Sequence, residues 1–125
     1  MNILFLCTSN VNRSKTAEYH FSKTQDENTY QSAGLSEKYC KKCGSRLCSI
    51  TLLEWADVVY VMEAEHSRRI ERHTGEKYLH KVVNLAIDDV YNYMDPKLIE
   101  LLVLGVSTST KLLTTKAHNM LSHHN

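Results

Sequence analysis

The chain has 125 residues, 42% of them hydrophobic and 23% charged, with a formal net charge of +1. This is the size and profile of one globular domain, able to bury a core without metals or disulfides. The balanced charge argues against nucleic acid or a membrane surface as a partner, and no stretch nears the roughly 18 apolar residues of a membrane span.

Ile3-Leu4-Phe5-Leu6 is an apolar run without alternation, the pattern of a strand buried on both faces of a parallel sheet. Met1-Asn2 leads into it without a signal-peptide pattern, so a cytoplasmic chain with reduced thiols is expected. Ser14 to about Thr24 reads as a helix, with Ala17 and Phe21 four apart on one face. Thr29 to Ala33 reads as a second strand, stopped at Gly34. Residues 35–48 read as loop. Ser49 caps a short helix carrying Leu52, Leu53 and Ala56. Val58 to Met62 is the clearest strand, and Glu63 to His73 a charged helix. Lys81 to Ile87 is expected to be a fourth strand and Asp88 to Met94 a loop. Asp95-Pro96 then opens a helix through Leu98, Ile99, Leu101 and Leu102, with Asp at the cap and Pro at the first helical position.

Alternating strands and helices predict an α/β fold: a flavodoxin-like three-layer sandwich with a four-stranded parallel sheet and helices on both faces. Residues 1–105 are expected to form a single domain, and 106–125 a C-terminal tail, either a short helix or disordered.

The chemistry is concentrated in Cys7-Thr8-Ser9-Asn10-Val11-Asn12-Arg13-Ser14, a Cys-x5-Arg-Ser loop between strand and helix. It leaves the carboxyl end of the first strand, where open α/β sheets bind ligands. Inward backbone N–H groups and the positive end of the following helix make an anion site suited to phosphate, lined by Thr8, Ser9, Asn10, Val11, Asn12, Arg13 and Ser14. The same field favours a thiolate, the nucleophilic form of Cys7. Arg13 offers a planar fork for two phosphoryl oxygens, and Ser14 can donate toward the sulfur. Asn10 tolerates the positive φ such a turn needs. Read as structure alone, Cys7 is a buried strand-end thiol, Arg13 a surface charge and Ser14 a helix cap.

Residues 3–14, continuing to Ala17-Glu18, resemble the low-molecular-weight protein tyrosine phosphatases, as do Ser32-Ala33-Gly34 and Ala56 to Glu63 with His66. The resemblance extends from residue 3 to about residue 104 and is closest to a compact bacterial branch. It implies hydrolysis of phosphotyrosine in a protein, or of another aryl phosphate. Attack by Cys7 would give a phosphocysteine that water then hydrolyses, with no metal or cofactor. The family also supplies an acid for the leaving group from an Asp-Pro-aromatic segment after the fourth strand. Ile87-Asp88-Asp89-Val90-Tyr91 resembles that segment with Val90 in place of proline, so Asp89 is the candidate acid, with Asp88 and Asp95 as alternatives. Tyr91 or Tyr93 can line the pocket or simply pack. Asn12 stands where many members carry a second, protective cysteine.

Cys40-Lys41-Lys42-Cys43-Gly44, followed by Cys48, departs from that family. It reads as incidental loop thiols, as half a zinc site, or as a redox dithiol. His66 is expected to be structural; His118, His123 and His124 are expected to be solvated. Two further functions remain open: an arsenate reductase resolved by the Cys40/Cys43/Cys48 cluster, and a phosphate-binding interaction module.

Overall fold

The computed structural model of the protein describes residues 1–122, with side chains through Thr110. Four strands, β1 (Asn2–Cys7), β2 (Thr29–Gly34), β3 (Val58–Val61) and β4 (Val82–Asn84), form one sheet in the order β2-β1-β3-β4. Every pairing is parallel, as the alternating pattern predicts. Five helices connect and flank them: α1 (Arg13–Ser22), α2 (Glu37–Cys43), α3 (Ile50–Trp55), α4 (Ala64–Thr74) and α5 (Pro96–Ser122).

β1 is central and buried on both faces. Leu4 and Leu6 pack with Leu52, Leu53 and Ile70 from α3 and α4. Ile3, Phe5 and Cys7 pack on the other face with Ala17 of α1 and with Leu98 and Leu102 of α5. Phe5 stacks against Phe21 and Tyr60 at centroid distances of 5.5 Å each. The connections leave β1 toward opposite edges of the sheet, so the loop after β1 sits at the topological switch point.

Four local expectations need correction. Residues 37–43 are helical rather than loop. The Ser36 hydroxyl accepts the Tyr39 N–H, Lys41 and Lys42 lie in the last turn, and Gly44 closes the helix at φ 65°. The fourth strand is only Val82–Asn84, and a 3₁₀ turn occupies Leu79–Lys81. Ser14 is not a cap, because the helix starts at Arg13 with Asn12 in the capping position. Finally, α5 passes through Gly105 to Ser122 without a break, so the boundary expected there is interior to a helix. His123 and His124 lie outside the described residues, as does the His118 side chain.

Candidate active site

The loop from Thr8 to Asn12 is held by its outward-facing carbonyls. Leu35 N–H donates to the carbonyls of Cys7 and Thr8 (2.9 and 3.1 Å), Ser36 N–H to Thr8 (2.9 Å) and Thr16 N–H to Asn12 (2.9 Å). The Ser45 hydroxyl donates to the Ser9 carbonyl. Among the described residues, no protein acceptor takes the backbone N–H of Thr8, Ser9, Asn10, Val11 or Asn12. Successive unpaired N–H groups at a helix N-terminus form an anion-binding nest. Gly34 makes this packing possible: a Cβ there would lie 2.4 Å from Cys40 Sγ and 2.9 Å from the Thr8 carbonyl oxygen.

Asn10 takes φ 54°. From there its Nδ2 donates to Ser14 Oγ (2.8 Å) and to Ser32 Oγ (2.9 Å). Ser14 Oγ lies 3.0 Å from Cys7 Sγ. Since Asn10 occupies Ser14 as an acceptor, the Ser14 proton is available to the sulfur. Its second acceptor, the Ala33 carbonyl, is more distant at 3.4 Å.

Arg13 is not a surface charge; only 1% of its side chain is exposed. Nη1 donates to Glu63 Oε2 (2.8 Å) and to the Ile87 carbonyl (2.7 Å). Nε lies 3.6 Å from Asp89 Oδ1 and has no hydrogen-bond partner. A buried guanidinium with an unsatisfied N–H beside an N–H nest is built to meet an oxyanion. Sequence reasoning did not assign Glu63 a role. Its signal was present: a carboxylate directly after the third strand, at the same sheet edge as the loop.

The fold matches solved structures over nearly the whole chain. SP-PTP, a low molecular weight protein tyrosine phosphatase from Streptococcus pyogenes, aligns with a TM-score of 0.71 at 17% identity, covering 99% of each chain. A YwlE mutant from Bacillus subtilis gives 0.66 at 23% identity, covering 89% of this chain and 99% of that one. The YwlE arginine phosphatase from Geobacillus stearothermophilus gives 0.63 at 21% identity, covering 94% and 96%. The fold is that of the low-molecular-weight protein tyrosine phosphatases. No protein-family model matches the sequence, and no curated protein matches it significantly.

Within this phosphatase fold the three candidate acids are placed differently. Asp89 is 59% exposed and lies against Arg13. Its loop is anchored at one end by Ile87 N–H donating to the Met62 carbonyl (2.9 Å), and at the other by Met94 N–H donating to Thr16 Oγ1 (2.9 Å). Asp88 lines an open recess of about 350 Å³ with Glu63, Glu65, Arg68 and Asn84. Asp95 caps α5, its Oδ1 accepting the Lys97 N–H at 2.8 Å. Tyr91 packs against the core, and Tyr93 meets the Tyr19 ring edge-on at 6.4 Å.

All four cysteines are free. Cys40 is buried, its Sγ 3.7 Å from the Ser9 carbonyl oxygen, while Cys43 is exposed. Burial pushes the Cys48 thiol up to about 11, which disfavours the thiolate a resolving cysteine needs. Among the described residues no three His, Cys, Asp or Glu side chains are grouped to hold a metal ion, so Cys40 and Cys43 find no second half of a zinc site there.

His66 joins the loop to α4. Its Nδ1 accepts N–H bonds from Met62 (3.2 Å) and Glu63 (3.1 Å), and its Nε2 lies 3.0 Å from Thr8 Oγ1. Burial, reinforced by Arg13, lowers its pKa from 6.5 to about 4. The folded state therefore disfavours protonation relative to the unfolded chain. The resulting stability is complete above about pH 6.5 and is lost as pH falls toward 4. We expect urea stability to drop by about 2 kcal/mol between pH 7 and pH 4.5. In His66→Gln this drop should largely vanish; an unchanged drop would assign it to other groups.

Proposed function

We propose that the chain is a cysteine-based phosphomonoesterase acting on phosphotyrosine in proteins, working in the cytoplasm without metal or cofactor. The observation that carries this reading is the unpaired N–H nest beside Cys7 Sγ, closed by the buried Arg13 with its unsatisfied Nε. In the first step Cys7 thiolate attacks phosphorus, the P–O bond to the aryl group breaks, and the leaving oxygen takes a proton from Asp89. In the second, Asp89 carboxylate accepts a proton from water as that water attacks the phosphocysteine. Phosphate departs and the thiolate returns. The nest and Arg13 stabilise the equatorial oxygens in both transition states.

The acid assignment rests on the proximity of Asp89 to Arg13 and on the occupation of Asp95 as a cap. Asp89→Asn should lower kcat on an aryl phosphate by about a hundredfold, while Asp95→Asn changes it less than about threefold. Equal small effects would move the acid role elsewhere. Burial of the Cys48 thiol counts against arsenate reduction resolved through that cysteine.

A second substrate class is favoured by one observation: of the carboxylates around the adjoining recess, Glu63 is paired with Arg13 and Glu65 with Arg68 and Arg72, while Asp88 has no ion pair among the described residues and suits a cationic leaving group. The YwlE structure from Geobacillus stearothermophilus is of an arginine phosphatase. Phosphate release from phosphotyrosine, phosphoarginine and phosphoserine peptides at equal concentration tests the choice. The reading expects phosphotyrosine to be hydrolysed most efficiently. Faster release from phosphoarginine would replace the substrate while keeping the mechanism, and no release from any peptide would reduce the chain to a phosphate-binding module.

A further inference from the structure

We propose that His66 is a positioning residue for the catalytic loop: as the neutral Nε2–H tautomer it donates to Thr8 Oγ1, leaving the Thr8 hydroxyl proton to be given to the bound phosphoryl group. The inference rests on the phosphatase reading and adds to it a residue outside the loop.

The tautomer follows from the geometry. Nδ1 accepts two backbone N–H groups, so it carries no proton, and a neutral ring must then hold its proton on Nε2. The Thr8 oxygen at 3.0 Å is the near acceptor, with Glu63 Oε2 more distant at 3.7 Å. A hydroxyl has one proton and two lone pairs. With one lone pair engaged by His66, and with no other protein partner of Thr8 Oγ1 among the described residues, the hydroxyl proton is left to solvent and free to turn to an anion when one arrives. Thr8 is the residue directly after the nucleophile, in the N–H nest.

The ring is neutral because its surroundings favour that form. It is 2% exposed. Arg13 from α1 and Arg69 from α4 oppose a second positive charge, while Glu63 and Glu65 favour it; burial and the arginines prevail, and the pKa falls to about 4. At neutral pH the clamp is thus set before the ligand binds. Protonation at Nδ1 would cost it the two backbone N–H bonds and release the loop.

A helix-capping role alone predicts something different, and binding measurements separate the two. Orthophosphate affinity is measured by calorimetry in a Cys7→Ser background, together with kcat/KM on an aryl phosphate in the Cys7 protein. His66→Ala and Thr8→Val should each weaken orthophosphate binding about tenfold, and the double variant should be no weaker than either single one. His66→Gln, which can accept and donate in the same directions, should recover most of the loss. Independent tenfold losses that multiply in the double variant, or an affinity unchanged in His66→Ala while its melting temperature falls, would overturn the proposal. If His66→Ala does not fold, the tautomer is read directly in the wild-type protein by long-range proton–nitrogen correlation: a proton on Nδ1 would also overturn it. The binding cycle is scored without turnover, so absent hydrolysis would reject the phosphatase reading and not this one.

Discussion

Cys7→Ala is expected to lower kcat on an aryl phosphate by about four orders of magnitude or more, while the protein stays folded and still binds phosphate. The rate loss follows because the nucleophile has no substitute: Cys40 is buried behind the loop, and the nearby Ser14 and Thr8 hydroxyls, engaged by Asn10 and His66, are far weaker nucleophiles than a thiolate. Folding survives because the side chain removed is small and its loop is held by other groups. The carbonyls of Cys7, Thr8 and Asn12 keep their donors, and Asn10 keeps Ser32. Phosphate affinity survives because the N–H nest and Arg13 are untouched. The measurement is a steady-state assay paired with calorimetric phosphate binding. Loss of both activity and binding would mean that the sulfur supports the loop, and retained activity would remove Cys7 from the mechanism.

Arg13→Ala is expected to be damaging in two ways. The substitution takes away the fork that meets the phosphoryl oxygens, and kcat/KM should fall about a thousandfold. It also unties three elements, because the same guanidinium holds Glu63 after β3, the Ile87 carbonyl after β4 and, more loosely, Asp89. Stability should fall by about 2–4 kcal/mol, near the lower limit for a broken buried pair because Glu63 and Asp89 both reach solvent. Arg13→Lys should regain part of the stability and little of the activity, since an ammonium keeps the charge but not the two-pronged geometry. Chemical denaturation and kinetics on the same preparations distinguish the two losses. A variant that loses stability but keeps kcat/KM would make Arg13 a strut only.

Much of the architecture was legible from residue pattern because the physics was local. Ile3 to Leu6 reads as a two-faced strand, and it is one. Ser49 and Asp95-Pro96 announce helix starts by their own side-chain chemistry, and both helices begin there. Ser36 and Gly44 carry the same kind of cap chemistry for α2, but a helix of seven residues with three lysines and two cysteines has too little apolar periodicity to stand out from a loop. Ser14 reads both as a donor toward the sulfur and as a helix cap; its hydroxyl does lie 3.0 Å from Cys7 Sγ, oriented by Asn10 at positive φ, whereas the cap position falls to Asn12. The partners of Arg13 were less legible. Glu63 is 50 residues away and Ile87 is 74 away, so their meeting is a product of sheet order, not of spacing. Position after the fourth strand favours Asp89 over the more conspicuous Asp95, and it is Asp89 that lies beside Arg13.

In the proposed mechanism the phosphoryl group passes through a covalent bond to Cys7. Mixing the wild-type protein with an aryl phosphate, quenching in acid within the first turnover and mapping peptides by mass spectrometry tests it directly. One phosphoryl group is expected on the peptide containing Cys7, more of it in Asp89→Asn when the aryl leaving group is acidic enough to depart unprotonated and only hydrolysis of the intermediate is slowed, and none in Cys7→Ala. Phosphate release at the same rate with no adduct on Cys7 in either protein would contradict it.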